Sequence, residues 1–346
     1  MPKLNVLVAG STGYIGVQLI NLLVKHSKIN VKYLCGNSSV GDNIYKYDQL
    51  LKNKRLPKII RFSKKLLNDV DIIFSALPNG GAQKISKNLL SKNILIDLAA
   101  DFRLEKASDY LKWYKKKHKA PKLIKRSIYS LPEITGKEIK KFNIIGCPGC
   151  YQTSILLPLV PLIKKKLIKL DNIIIDSKSG YSGAGRGVHK KYKDKNLYES
   201  LSAYGVGFHR HNSEIEQMFK KHSKQKVKFT FTPHLSPMFR GILSTIYVDL
   251  NNSVTINTLY KELNRFFMNS KFVNIKKINS LISTNDVINT NNCNISICKT
   301  KYKNKVIIIS SLDNLIKGGG GQGIQNMNLR FNFPEKMGLN IWKLFY

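Results

Sequence analysis

The stretch Leu4 to Gly16, LNVLVAGSTGYIG, decides the fold. Leu4 to Ala9 is a short apolar run that reads as a buried strand. Glycines follow at GxxGxxG spacing, and Val17 to Val24 then repeats apolar residues at helical intervals. A second apolar run, Val31 to Leu34, completes a βαβ unit. In that setting Gly10, Gly13 and Gly16 let the backbone approach a pyrophosphate held at a helix N-terminus, with Ser11, Thr12, Tyr14 and Ile15 forming the rest of the turn. The spacing alone also suits a plain glycine turn. The place between first strand and first helix carries the dinucleotide reading.

Outward from that unit, apolar runs at Val70 to Phe74 and Ile94 to Ile96, separated by a helical stretch after Asn79, continue the alternation. The first part therefore reads as α/β, a Rossmann-type doubly wound parallel sheet. From about Cys150 the pattern changes, with strand runs at Asn172 to Ile175, Phe229 to Phe231, Leu243 to Val248 and Val306 to Ser310 among helices. This predicts a second, α+β domain with a mixed, largely antiparallel sheet. The 346 residues exceed what a single core usually fills. The expected division is 1–149, 150–312, and 313–346 as a tail that returns to the first domain after the glycine run Lys317 to Gly323.

The formal net charge of +37 raises a nucleic-acid partner as an alternative. The lysines are spread along the whole chain, however, and clusters such as Lys115 to Lys119 read as solvated surface without aromatic interleaving. No dedicated nucleic-acid or membrane partner is expected. No long apolar run or leader-like pattern appears, and five cysteines are few and odd in number, so a reduced, cytoplasmic setting is expected.

Where the second strand ends, at LCGNSS, NAD binders usually place an acid for the ribose 2′-hydroxyl. None stands here, which favours NADP(H). Asn37, Ser38 and Ser39 offer donors to a 2′-phosphate, and the turn Ser75-Ala76-Leu77-Pro78 lies where a strand end passes a bound dinucleotide.

The nucleophile candidate is Cys150, in GCPGCY just before the helical run Gln152 to Leu162. The positive end of a helix stabilises a thiolate. Cys147 and Cys150 also spell CPGC, a spacing seen in disulfide exchange or half of a zinc site with Cys293 and Cys298. Neither context is evident, and no metal is expected. The segment Tyr204 to Ile215 offers His209, Arg210 and His211 as proton-handling and charged groups, and Ser179 to Arg186 reads as a glycine-rich binding loop.

With GSTGYIG, SALPNG, DLAADFRL, YSLPE, PGCY, SGAGR, HRHNSEIEQ, FTPHLSPMFRG and DNLIKGGGGQGIQNMN in order along almost its whole length, the chain resembles the N-acetyl-gamma-glutamyl-phosphate reductases, which are related to aspartate-semialdehyde dehydrogenases. The resemblance implies a catalytic and dimerisation role for the second domain and a homo-oligomer. It also implies an acyl phosphate substrate of arginine biosynthesis, release of inorganic phosphate through a Cys150 thioacyl intermediate, and reduction to the semialdehyde by NADPH. By the family pattern an HRH histidine, His209 before His211, is the acid/base group. Ser182, Gly183 and Asn314 lie on the nicotinamide side, and Arg103, Arg186, Arg210 and Arg240 hold substrate oxyanions. The departures are Cys147 where the family usually has asparagine, Ser130 in place of glycine, and Asn212-Ser213 in place of Thr-Pro. The rival readings are the one-methylene-longer aminoadipyl substrate of lysine biosynthesis and a basic nucleic-acid-binding protein on a decayed enzyme fold.

Overall fold

The computed structural model describes residues 2–187 and 199–339. The chain divides into one unit of residues up to Gly149 together with the segment from Gly319, and a second unit from Cys150 to Gly318.

In the first unit, β1 (Leu4–Ala9), β2 (Ile29–Cys35), β3 (Ile59–Ile60), β4 (Ile72–Ser75), β5 (Ile94–Asp97), β6 (Ser127–Tyr129) and β7 (Ile144–Gly146) form one parallel sheet. Its order is β3-β2-β1-β4-β5-β7-β6. The order reverses between β1 and β4, the switch point at which doubly wound sheets open a crevice at their carboxyl ends. Both sheet faces are covered, so strands such as β4 and β5 are buried at every position. Helix α1 (Tyr14–Leu23) buries Val17, Leu19, Ile20, Leu22 and Leu23. The short α2 (Gly81–Ser86) and α3 (Ala107–Tyr114) follow β4 and β5.

The second unit carries β8 (Ile173–Gly180), β9 (Ser202–Ala203), β10 (Phe229–Ser236), β11 (Ile242–Asp249), β12 (Val273–Ile275), β13 (Cys293–Lys299) and β14 (Lys305–Leu312). They run in the order β12-β13-β14-β11-β8-β10-β9, with β8–β10 and β12–β13 parallel and the other pairs antiparallel. One sheet face packs on α4 (Cys150–Lys164), α5 (Asn212–Ser223) and α6 (Ile256–Phe267). Strand β11 shows the resulting alternation, burying Ile242, Ser244, Ile246 and Val248 and leaving Leu243, Thr245 and Tyr247 half-buried. Helix α4 is buried almost throughout despite Pro158 and Pro161. Its tertiary packing outweighs the backbone bonds that proline removes.

The second unit extends past the expected boundary at Asp313. Asp313 and Asn314 bond to Arg240, Asn289, Gly241 and Ser182 of that unit, which keeps them with it. Ile316–Gly320 is a helical stretch broken by a kink at Gly319, whose backbone is non-helical, and it leads into α7 (Gly321–Arg330), packed on α1 and β5 of the first unit.

Candidate active site

In the first unit, Gly10 sits at φ +82°, and a side chain there would meet the Ala76 carbonyl oxygen at 2.5 Å. The Gly10 and Ser11 N–H groups both donate to the Cys35 carbonyl, which locks the turn onto the end of β2. Ser11 Oγ also turns inward to that carbonyl, 3.1 Å away, so this side chain shapes the turn. The N-terminus of α1, capped by the backbone of Gly13, has no side-chain cap and no acid in its first turn. The positive helix end, reached over glycines, fits a pyrophosphate.

A cavity of about 630 Å³ opens beside this turn. Gly36 and Asn37 line it at the end of β2, with Leu77 and Pro78 after β4. Ser38 is exposed and Ser39 and Ser75 are buried, and none of the three lines the cavity. Reading the sequence passed over Arg61, which follows β3, and over Lys84, Lys116, Lys117 and Lys119, all of which line it. Three of these lysines belong to the KKKHK run and are exposed, as the sequence leads one to expect, while also lining the cavity. His118 of that run is buried, with Nε2 2.8 Å from the Asp101 carbonyl oxygen. Asp101, in DLAADFRL, accepts from the Gly80 and Gln83 N–H groups, Gln83 Nε2 and Tyr110 Oη, and so holds the start of α2. Neighbouring Arg103 is buried and donates to the Leu98 carbonyl.

Cys147, at the end of β7, is also buried in this unit. Asn326 Nδ2 donates to its Sγ at 3.4 Å and to the Ser130 carbonyl, while Ser130 Oγ donates to Asn326 Oδ1 at 2.6 Å. Two departures from the family pattern, Cys147 and Ser130, thus meet on one asparagine of α7. Burial pushes the Cys147 thiol up to about 12, the Asn326 hydrogen bond pulling weakly against it.

In the second unit, Cys150 is the first residue of α4 and is half-buried. It therefore lies at the positive end of a 15-residue helix. The glycine run packs directly on it, for a side chain at Gly318 would come within 2.6 Å of Cys150 Cβ. Gly318 is held in turn by Asp313, whose carbonyl accepts its N–H. The Asp313 carboxylate accepts from the Asn289, Leu315 and Ile316 N–H groups and pairs bidentately with Arg240, Nε–Oδ2 at 2.9 Å and Nη2–Oδ1 at 3.3 Å. Burial pushes this carboxyl up, and Arg240 and the three N–H groups oppose that. Arg240 is thus committed to Asp313 and Asn289, whereas Arg186 and Arg210 are exposed.

Tyr151 is buried and donates to the His234 carbonyl. The rings of His209 and His211 lie edge-on to it at 6.0 and 5.9 Å, and Tyr204 and Phe231 complete a box around His209. Burial, then the Arg210 charge, lowers His209 to about 4. His209 Nδ1 accepts the His211 backbone N–H at 3.2 Å. A neutral ring whose Nδ1 accepts carries its proton on Nε2, so His209 presents a hydrogen-bond donor there. On the SGAGR segment, buried Ser182 accepts from Asn314 Nδ2 at 2.9 Å, and Asn314 Oδ1 accepts the Gly241 N–H. Gly183 is exposed beside them, 3.6 Å from Asn314 Nδ2 at the position a side chain would take. Among the described residues no cluster of three His, Cys, Asp or Glu side chains could hold a metal ion, and no helix is long and apolar enough to cross a membrane.

The chain matches two family profiles, "Semialdehyde dehydrogenase, NAD binding domain" over residues 5–142 and "Semialdehyde dehydrogenase, dimerisation domain" over residues 150–314. It is 42% identical over 336 residues to the N-acetyl-gamma-glutamyl-phosphate reductase of Clostridium beijerinckii, covering 96% of this chain and 97% of that one. It is 39% identical over 347 residues to the probable chloroplastic N-acetyl-gamma-glutamyl-phosphate reductase of Oryza sativa, covering 99% and 83%. Among solved structures, aspartate semialdehyde dehydrogenase II of Vibrio cholerae superposes with a TM-score of 0.70 at 14% identity, covering 96% of this chain and 99% of that one, which is a likeness of fold.

Proposed function

Because the chain belongs to the N-acetyl-gamma-glutamyl-phosphate reductase family, an oxidoreductase family, we propose that it converts N-acetyl-gamma-glutamyl phosphate to the semialdehyde, in arginine biosynthesis, through a thioester on Cys150. The observation that carries this is the half-buried Cys150 at the start of α4, with Gly318 against its Cβ. The helix N-terminus favours the thiolate, which attacks the acyl carbon. A C–S bond forms, the acyl C–O bond to phosphate breaks, and inorganic phosphate leaves.

The start of α1, which has no side-chain cap, and the cavity beside it would hold NADP(H), with Gly10 to Gly16 at the pyrophosphate and Leu77 and Pro78 along the wall. The reduced cofactor would supply the hydride that the thioester carbon accepts. The oxygen of that carbon then bears negative charge, which an Nε2–H donor such as His209 stabilises without giving up its proton. The alkoxide re-forms the carbonyl as the C–S bond breaks, and the thiolate is regenerated. A thiolate that enters and leaves as a thiolate needs a preorganised donor more than a base. Arg103, Arg186 and Arg210 are assigned to substrate oxyanions, and Asn314, through Ser182, to positioning the nicotinamide-side loop. Arg240 holds Asp313 beneath the glycine turn.

The test is reduction of NADP by purified protein with N-acetylglutamate semialdehyde. Activity that requires phosphate supports this reading, and activity independent of phosphate overturns it. The homo-oligomer is assigned to the open face of the second sheet, where Ile174, Tyr247 and Ile307 line up across β8, β11 and β14. Tyr247→Lys is expected to shift the chain to monomer in light scattering; an unchanged mass would move the interface elsewhere.

A further inference from the structure

We propose that the basic segment Lys116 to Lys119, together with Arg61, is the device by which this chain selects a 2′-phosphorylated adenosine. The proposal rests on the reading of the first-unit cavity as the dinucleotide site, and it assigns that site's selectivity to residues outside the glycine turn.

Two observations carry it. The first is charge. Arg61, Lys84, Lys116, Lys117 and Lys119 line the cavity, and no aspartate or glutamate is among its lining residues. These cations share the cavity with Gly36 and Asn37 at the end of β2, the strand end at which doubly wound folds hold the adenosine ribose. A phosphate monoester there adds about −1.5 to −2 charge at neutral pH, where a hydroxyl adds none. A guanidinium can take two of its oxygens at once, and lysines act as point charges around it.

The second observation is that the segment carrying these exposed lysines is held on both sides of Lys116 and Lys117. A run of lysines in a free loop would lose much of its binding energy to ordering. Here Lys115, at φ 55°, ends α3 with its N–H on the Leu111 carbonyl. The Lys119 N–H donates to Gln83 Oε1 at 2.7 Å. His118 is anchored through both ring nitrogens, Nε2 at the Asp101 carbonyl and Nδ1 accepting the Ala120 N–H at 3.1 Å, and it packs edge-on against Tyr110 and Phe102. Burial lowers its pKa, so His118 serves as a neutral peg and the charge stays on the lysines. Gln83 and Asp101, which hold this segment, also hold Gly80 and the start of α2. The basic segment and the Leu77–Gly81 turn are therefore one hydrogen-bonded piece.

Isothermal titration with adenosine 2′,5′-bisphosphate and with AMP tests this without turnover. The unaltered protein is expected to bind the bisphosphate at least about 10-fold more tightly, and the Arg61→Gln/Lys116→Gln/Lys117→Gln variant to lose about 10- to 100-fold for the bisphosphate while AMP changes by less than about 3-fold. Lys220→Gln/Lys221→Gln, two exposed lysines that are not among the cavity's lining residues, is expected to leave the preference intact. The proposal fails if the triple variant keeps the original preference, if the unaltered protein does not discriminate, or if the Lys220/Lys221 pair lowers the preference as much. Binding of neither nucleotide by folded protein would remove the dinucleotide reading of the cavity and the proposal with it.

Discussion

Cys147 and Cys150 stand three positions apart in one tetrapeptide, yet their surroundings assign them opposite chemistry. Cys147 follows the end of β7 and is buried; burial pushes its pKa up to about 12 and keeps it a thiol, against the opposing hydrogen bond from Asn326. Cys150 opens a helix, is half-buried, and has a glycine pressed against its Cβ. The contrast shows that a CxxC spacing says little by itself about reactivity. A thiol in an apolar, hydrogen-bonded pocket is inert, and one at a helix N-terminus is poised as an anion.

The largest effect that tests this contrast is substitution of each thiol. Cys150→Ser is expected to lower kcat by at least about 10³-fold, whereas Cys147→Ser stays within about 3-fold. Comparable losses in both would break the comparison. Iodoacetamide at neutral pH sharpens it, since peptide mass spectrometry should find Cys150 alkylated and Cys147 intact.

Next in size is Gly318→Ala. The added methyl must displace Cys150 or the turn from 2.6 Å to normal contact, and a shift of that kind at the proposed nucleophile is expected to cost about 10- to 100-fold in kcat with a small change in KM. An unchanged kcat would show that the nucleophile does not depend on the glycine turn.

The smallest effect concerns acid. His209 is lowered to about 4 when folded, against an ordinary value of 6.5, so the neutral form is the one the fold accommodates. Its contribution to stability is therefore present above pH 6.5 and is lost as pH falls toward 4. The melting temperature should decline over that window and decline less in His209→Gln; equal slopes would mean that this ring is not buried as a neutral donor.

Much of the fold was legible because its long strands carry their own signal. The run at Leu4 to Ala9 and the alternation in β11 mark one strand buried on both faces and one buried on a single face. The short strands β3, β6 and β12 escaped notice, since two or three residues hold no periodicity. In the site, Cys150 could be placed at a helix start from its neighbours alone. The commitment of Arg240 to Asp313 could not, because the partners are distant in sequence and meet only through the sheet. Lys116 and Lys117 are exposed, as a lysine run is expected to be; that they also line the cavity could not be read for the same reason.

The sequence by itself determined the glycine turn and its helix, the change from a parallel to a mixed sheet, the thiol at a helix start, and the motif order that marks the family. These are local, encoded in spacing and side-chain type over a few residues. Only the tertiary structure decided that Cys147 is buried against Asn326, that His209 Nδ1 accepts a backbone N–H, that Gly318 abuts Cys150, and that Lys116, Lys117 and Lys119 line a cavity. Each of these depends on burial or on a hydrogen bond to a particular neighbour, which spacing along the chain does not specify.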